Sequence, residues 1–101
     1  MATSVTSREE RIKEQRRALP DAPGVYIFRD AKAKVLYVGK ARSIRKRVAG
    51  HFSKPGARGA ADMVSQIADI EFIATETEAE ALLAEQEFIK RYRPLFNVRL
   101  R

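Results

Sequence analysis

Apolar and polar positions along this chain alternate in short periodic segments that mark out a sequence of elements. Ser7 to about Ala18 reads as a helix: Ser7 with Glu10 makes a capping box, and Leu19-Pro20 ends the run. Its apolar content is thin, which predicts a surface helix. Gly24-Val25-Tyr26 and Tyr37-Val38-Gly39 then mirror each other, each a glycine-punctuated run of β-branched and aromatic residues. The polar tract Arg29-Asp30-Ala31-Lys32-Ala33-Lys34 between them suits a hairpin loop. Pairing Phe28 with Val35 sets Tyr26 opposite Tyr37, so Tyr26, Phe28, Val35 and Tyr37 are expected on one face.

A second helix is expected from about Ser43 to His51, with Ile44, Val48 and Phe52 as its core stripe, and a turn follows through Ser53-Lys54-Pro55-Gly56. A third helix near 60–68 carries Met63, Val64 and Ile67 on one face. Residues 70–74 alternate as a third strand. Thr77 with Glu80 forms a second capping box, opening a long helix to about Tyr92 that Pro94 stops. The sum is an α+β fold, a small three-stranded antiparallel sheet flanked by helices. Residues 1–18 form a lead-in with a surface helix, and residues 19–101 the domain proper.

The long helix holds an anomaly. At about 100° per residue, Ala81, Leu82, Phe88, Ile89 and Tyr92 share an arc, and Glu85 projects onto its middle while Glu80, Glu87 and Arg91 point away. A carboxylate in an apolar stripe costs several kcal/mol unless it is paired or metal-bound. Glu85 is therefore either one half of an arginine ion pair or a metal ligand. In the basic helix, Lys40, Arg47 and His51 fall along one border of the stripe if the helical twist reaches back to Lys40. Arg42, Arg45 and Lys46 face elsewhere. His51 suits a core-edge role or a place in a site.

Charge sharpens the picture. The chain has 101 residues, 20 Lys and Arg against 13 acids, a net charge of +7 and a pI near 10.1, which points to a polyanionic partner. Between Arg29 and Arg58 lie ten Lys or Arg and a single acid, Asp30; between Asp62 and Glu87 lie eight acids and no Lys or Arg. That segregation makes Arg42, Arg45, Lys46, Lys54 and Arg58 candidates for phosphate contacts. There is no cysteine, which excludes disulfides and thiolate metal sites. No apolar run approaches membrane-span length and no charged-then-apolar leader opens the chain, so a soluble cytoplasmic protein without a membrane partner is expected.

Gly24-Val25-Tyr26, Tyr37-Val38-Gly39-Lys40-Ala41, Arg47, Glu85 and Asn97, in that order, resemble the GIY-YIG nuclease domain. The stretches "DAPGVYIF", "LYVGKA" and "EAEALLAEQEFIKRYRPLFNVRL" bring the likeness closer to the excision-repair members of that family and extend it over about residues 19–100. Family members often carry tyrosine where this chain has His51, and histidine occurs there too. The resemblance implies a bacterial, nucleoid-associated DNA endonuclease domain acting in nucleotide excision repair, cutting 3′ to a lesion selected by a helicase-like damage-recognition subunit. It implies a single Mg²⁺ or Mn²⁺ held by Glu85, with Tyr26, Tyr37, Lys40, Arg47, His51 and Asn97 as catalytic residues.

In that chemistry Arg47 would hold the scissile phosphate, Asn97 would brace the site, and Tyr37 would be the base or its relay with Tyr26 positioning water; the two tyrosines could exchange roles. A phenol with a pKa of about 10 is only about 0.1 % ionised at pH 7, so nearby positive charge is expected to lower it. The rival reading is a non-catalytic nucleic-acid-binding module with tyrosines as stacking platforms.

Overall fold

The computed structural model describes residues 7–53 and 60–99. Its elements are α1 (Arg8–Arg17), β1 (Gly24–Arg29), β2 (Val35–Ala41), α2 (Ile44–Ser53), α3 (Ala60–Gln66), β3 (Asp69–Ala74), α4 (Glu78–Tyr92) and α5 (Leu95–Arg99). The three strands form one antiparallel sheet in the order β2-β1-β3. β1 is central, so its residues Gly24 to Phe28 are all buried. The expected turn through Ser53-Lys54-Pro55-Gly56, together with Lys54 and Arg58, lies largely or wholly outside the described residues.

Both capping boxes form. Ser7 accepts from the Glu10 amide while Glu10 bonds the Ser7 amide, and Thr77 and Glu80 do the same at α4, satisfying amides that a helix start leaves open. α4 ends with Arg93 in the left-handed conformation (φ 45°), immediately before Pro94. α5 follows, a short helix that hydrophobic periodicity did not announce.

Two cores lie on the two faces of the sheet. One gathers Tyr26, Phe28, Leu36, Ile44, Val48, Met63, Ile67 and Phe96, with Tyr37 and Phe52 packed against it. The other gathers Val25, Ile27, Val35, Val38 and Ala81, with Ala84, Phe88 and Ile89 of α4 packed on. α4 covers β1 and β2, and its buried stripe is narrower than expected: Leu82 and Tyr92 are 39% and 37% exposed.

The hairpin register differs from the expected one. Phe28 pairs with Tyr37, Tyr26 with Gly39, and Arg29 with Val35. Leu36 is the extra residue of a β-bulge, so Leu36 and Tyr37 both serve one face while Val35 turns to the other. Three of the four residues expected on one face lie there, and Leu36 takes the place of Val35. The loop closes through Asp30, whose Oδ1 accepts from the Lys32 and Lys34 amides, each at 2.9 Å.

α1 is surface-lying, with Ile12 its one buried residue, yet it is firmly tied down. The Arg8 guanidinium donates to the carbonyls of Val64, Ser65 and Ile67 at 3.1, 2.7 and 2.6 Å, capping the C-terminal end of α3. Arg11 donates to the Ala68 carbonyl, and Gln15 bonds Asp69 and the Ile70 amide.

Candidate active site

β1, β2 and α2 bring the predicted residues together because each contributes at its own period. Alternation along β1 sends Tyr26 and Phe28 to the α2 side, and the bulge keeps Tyr37 there. On α2, Ser43 caps the helix start by accepting from the Lys46 amide at 3.3 Å, Ile44 and Val48 point inward, and the i,i+4 pair Arg47 and His51 borders them. Tyr26 Oη and His51 Nε2 lie 2.7 Å apart in a hydrogen bond. The Tyr37 and His51 rings sit 5.4 Å apart, and Phe28 meets His51 edge-on at 5.3 Å.

The pairing of Tyr26 with Gly39 explains a glycine that sequence reasoning had treated only as strand punctuation. A Cβ on Gly39 would overlap the Tyr26 hydroxyl and ring carbon, so any other residue evicts the phenol. Gly24 is required on the same grounds, since a Cβ there would strike the Ile73 carbonyl and the Ile44 side chain.

Burial dominates the electrostatics. It raises the Tyr26 phenol far above its ordinary value, with Tyr37 adding to the rise and Arg47 opposing it. Tyr37 is also raised, first by burial and then by the charge of Glu85, against the lowering effects of Arg47 and of the neighbouring Tyr26 hydroxyl. Arg47 pulls both phenols in the expected direction, but burial outweighs it. His51 is pushed down to about 4, chiefly by burial and then by Arg47, so its ring is neutral at pH 7. Arg47 acts on all three groups, and Glu85 acts on Tyr37.

Asn97 reaches the same place from the far end of the chain. Its Oδ1 accepts from the Val38 amide at 2.9 Å and its Nδ2 donates to the Val38 carbonyl at 2.8 Å. β2 is an edge strand, and Asn97 satisfies both outward-facing groups of Val38 as a neighbouring strand would. Tyr37 and Gly39 flank that clamp.

Glu85 is half-buried, and among the described residues the ion pairs are Arg29–Glu71 and Arg42–Glu78, so the arginine-pair alternative for Glu85 is not met. No group of three or more His, Cys, Asp or Glu converges among the described residues. One hard oxygen ligand, partly buried and without a cationic partner among the described residues, suits Mg²⁺, which keeps most of its waters and takes few protein ligands.

Lys40 is placed differently from expectation. β2 continues through Ala41, paired with Gly24, and the helix begins only after Ser43, so Lys40 is not on the row of Arg47 and His51. By alternation it belongs to the opposite face of β2 from Tyr37 and Gly39. It lines an open groove with Ala41, Arg42, Ser43, Lys46 and Arg47. In that groove Arg42 pairs with Glu78 at 3.0 Å, an exposed contact worth little. Arg45 donates to the Leu19 carbonyl at 2.8 Å, and Lys46 is exposed.

The family model for the UvrC-like GIY-YIG domain matches residues 22–98. The chain belongs to the UvrC-like GIY-YIG domain family. Among UvrC relatives, the UvrABC system protein C of Symbiobacterium thermophilum is 47% identical over 92 residues, covering 89% of this chain and 15% of that protein. That of Methanothermobacter thermautotrophicus is 50% identical over 91 residues, covering 90% and 16%. The chain thus spans about 15% of the length of such full-size UvrC relatives. The solved GIY-YIG N-terminal endonuclease domain of UvrC from Thermotoga maritima, bound to its catalytic magnesium, superposes with a TM-score of 0.77 at 32% identity, over 84% of this chain and 93% of that one. The three-stranded antiparallel sheet with its surrounding helices is the GIY-YIG fold.

Proposed function

We propose that this chain is a metal-dependent endonuclease domain that hydrolyses a phosphodiester bond of DNA, and that within a longer protein it makes the 3′ incision of nucleotide excision repair. The observation that carries the reading is Glu85: a half-buried carboxylate, without an ion pair among the described residues, whose charge reaches Tyr37. A nucleic-acid-binding module gains nothing from a carboxylate there. The rival also needs exposed ring faces, and Tyr26 is 0% exposed.

Hydrolysis needs an activated water, a held phosphate and a brace that keeps them in line. Tyr37, the phenol that solvent reaches, reacts through its ionised fraction: the phenolate accepts the proton of the attacking water and ends as the neutral phenol. Tyr26, whose ring lies 6.1 Å from that of Tyr37, positions that water. Neutral His51 holds the Tyr26 hydroxyl in place through their 2.7 Å hydrogen bond. Arg47, which acts on all three, holds the scissile phosphate. Lys40 and Lys46 meet neighbouring phosphates, and Asn97 fixes β2 at Val38. Glu85 would hold the divalent cation, whose chemistry is to neutralise charge on the phosphate and leaving oxygen. With the charge of Glu85 neutralised, one of the influences that raise Tyr37 is removed.

Lesion choice rests with a helicase-like damage-recognition subunit that engages regions outside this chain, in the bacterial cytoplasm at the nucleoid. The test is incubation with nicked, bubble and lesion-bearing duplexes in Mg²⁺ or Mn²⁺ against EDTA. Cleavage in metal and none in EDTA is expected; cleavage indifferent to chelation overturns the reading.

A further inference from the structure

A second cluster of cations lies away from the site, on the other flank of α2. Lys13, Arg16 and Arg17 of α1 face Arg45 and Ala49 of α2 across a groove of about 320 Å³ with no acid in its lining. None of the four cations has an ion pair among the described residues. Two of them are held in place: Arg16 stacks over the Phe52 ring at 4.5 Å, and Arg45 donates to the Leu19 carbonyl at 2.8 Å. Asp21 acts on Arg45, but its carboxyl is engaged first by the Ser43 hydroxyl and by Lys46, while Glu10 on α1 acts on Lys13.

Helix electrostatics accounts for only part of this cluster. Arg16 and Arg17 in the last turn of α1 complement the negative end of that helix, but Arg45 stands in the first turn of α2, at its positive end, and that turn itself carries no acid. A phosphate seated in the groove would complement these cations and the positive end of α2 together. We infer that the α1–α2 groove is a second DNA-backbone contact, receiving phosphates a few nucleotides from the scissile bond. The inference rests on the endonuclease reading in taking DNA as the polyanion.

The geometry sets the spacing. At about 100° per residue, Arg47 and His51 lie on one flank of α2, Arg45 and Ala49 on the other, and Lys46 on the outer ridge between them. A helix is about 10–12 Å across with its side chains. A strand that leaves Arg47 and crosses over Lys46 therefore enters the groove roughly three nucleotides later, at about 3.4 Å per step.

The experiment uses the Lys13→Gln/Arg17→Gln double variant, because both side chains are exposed and neither anchors a neighbour. Binding to a bubble duplex is measured against salt, with steady-state cleavage in Mg²⁺ alongside. The slope of log K against log salt should shrink by about 1.8, two phosphates at about 0.9 each. KM should rise, kcat at saturating DNA should hold, and the melt should be unchanged. The charge-conserving Lys13→Arg/Arg17→Lys variant should keep the wild-type slope. An unchanged slope and KM in the folded Gln variant overturns the groove while leaving the endonuclease reading intact. A reduced slope in a wild-type background that never cleaves supports the groove and overturns the endonuclease reading. Loss of slope in the charge-conserving variant shows a structural effect and overturns the groove.

Discussion

Replacing Asn97 by alanine removes the clamp on β2 and touches no group that meets substrate. Two hydrogen bonds are lost, at 2.9 and 2.8 Å, both to the partly buried backbone of Val38. Each is worth about 1 kcal/mol net, and each leaves a backbone group that must find water or go unpaired. The expected cost is about 2 kcal/mol, and at about 4–8 °C per kcal/mol for a domain of this size the melting midpoint should fall by about 8–16 °C. Asn97→Asp is the sharper variant. It keeps the acceptor for the Val38 amide but sets a carboxylate oxygen against the Val38 carbonyl, so it should be no more stable than the alanine variant. Calorimetry gives the stability, and cleavage well below the lowered midpoint isolates the effect on geometry. Because Tyr37 adjoins Val38, a displacement of about 1 Å there should cost cleavage about 10²-fold even in the folded variant. A midpoint within a degree or two of wild type, or full cleavage by the folded alanine variant, would refute the bracing role.

Two further outcomes follow from the same geometry. Tyr37→Phe should keep the fold and DNA affinity while losing about 10²-fold or more in cleavage, as expected of general-base work; wild-type turnover would make the phenol structural. His51 has a folded value of about 4 against 6.5 unfolded, so the unfolded chain binds more protons between those values and stability declines as pH falls through that window. The full loss would be about 3 kcal/mol, discounted to about 1–2 because His51 is only half-buried. His51→Gln should remove this pH dependence in denaturant titrations from pH 7 to 4, and an unaltered profile would contradict it.

The helices were legible where polar chemistry marks their ends: the Ser7–Glu10 and Thr77–Glu80 boxes bound α1 and α4 to the residue. The sheet was legible as strands but not as a register. Val35-Leu36-Tyr37-Val38 is apolar without interruption, so no alternation announces that Leu36 bulges, and one extra residue is enough to turn Val35 to the other face. Lys40 was misplaced because backbone pairing with β1, which no side-chain period reveals, carries β2 on to Ala41. The inward Glu85 stood out as a lone carboxylate in an apolar arc, whereas the Tyr26–His51 contact joins residues 25 apart and depends on tertiary packing alone. The docking of α1 through Arg8 and Arg11 is polar and long-range, so a thin apolar stripe concealed it.

Glu85→Gln tests the metal reading most directly. The variant and wild type are melted in EDTA and in Mg²⁺, and cleavage of a bubble duplex is followed across a Mg²⁺ titration. Glutamine keeps the shape and removes a half-buried charge, so the variant should melt in EDTA at or above the wild-type temperature, gain nothing from Mg²⁺, and fail to cleave at any concentration of the ion. A variant that melts far lower in EDTA, by the equivalent of about 3–5 kcal/mol, would make Glu85 a structural ion-pair partner, and Mg²⁺-dependent cleavage surviving the substitution would contradict its assignment as the metal ligand.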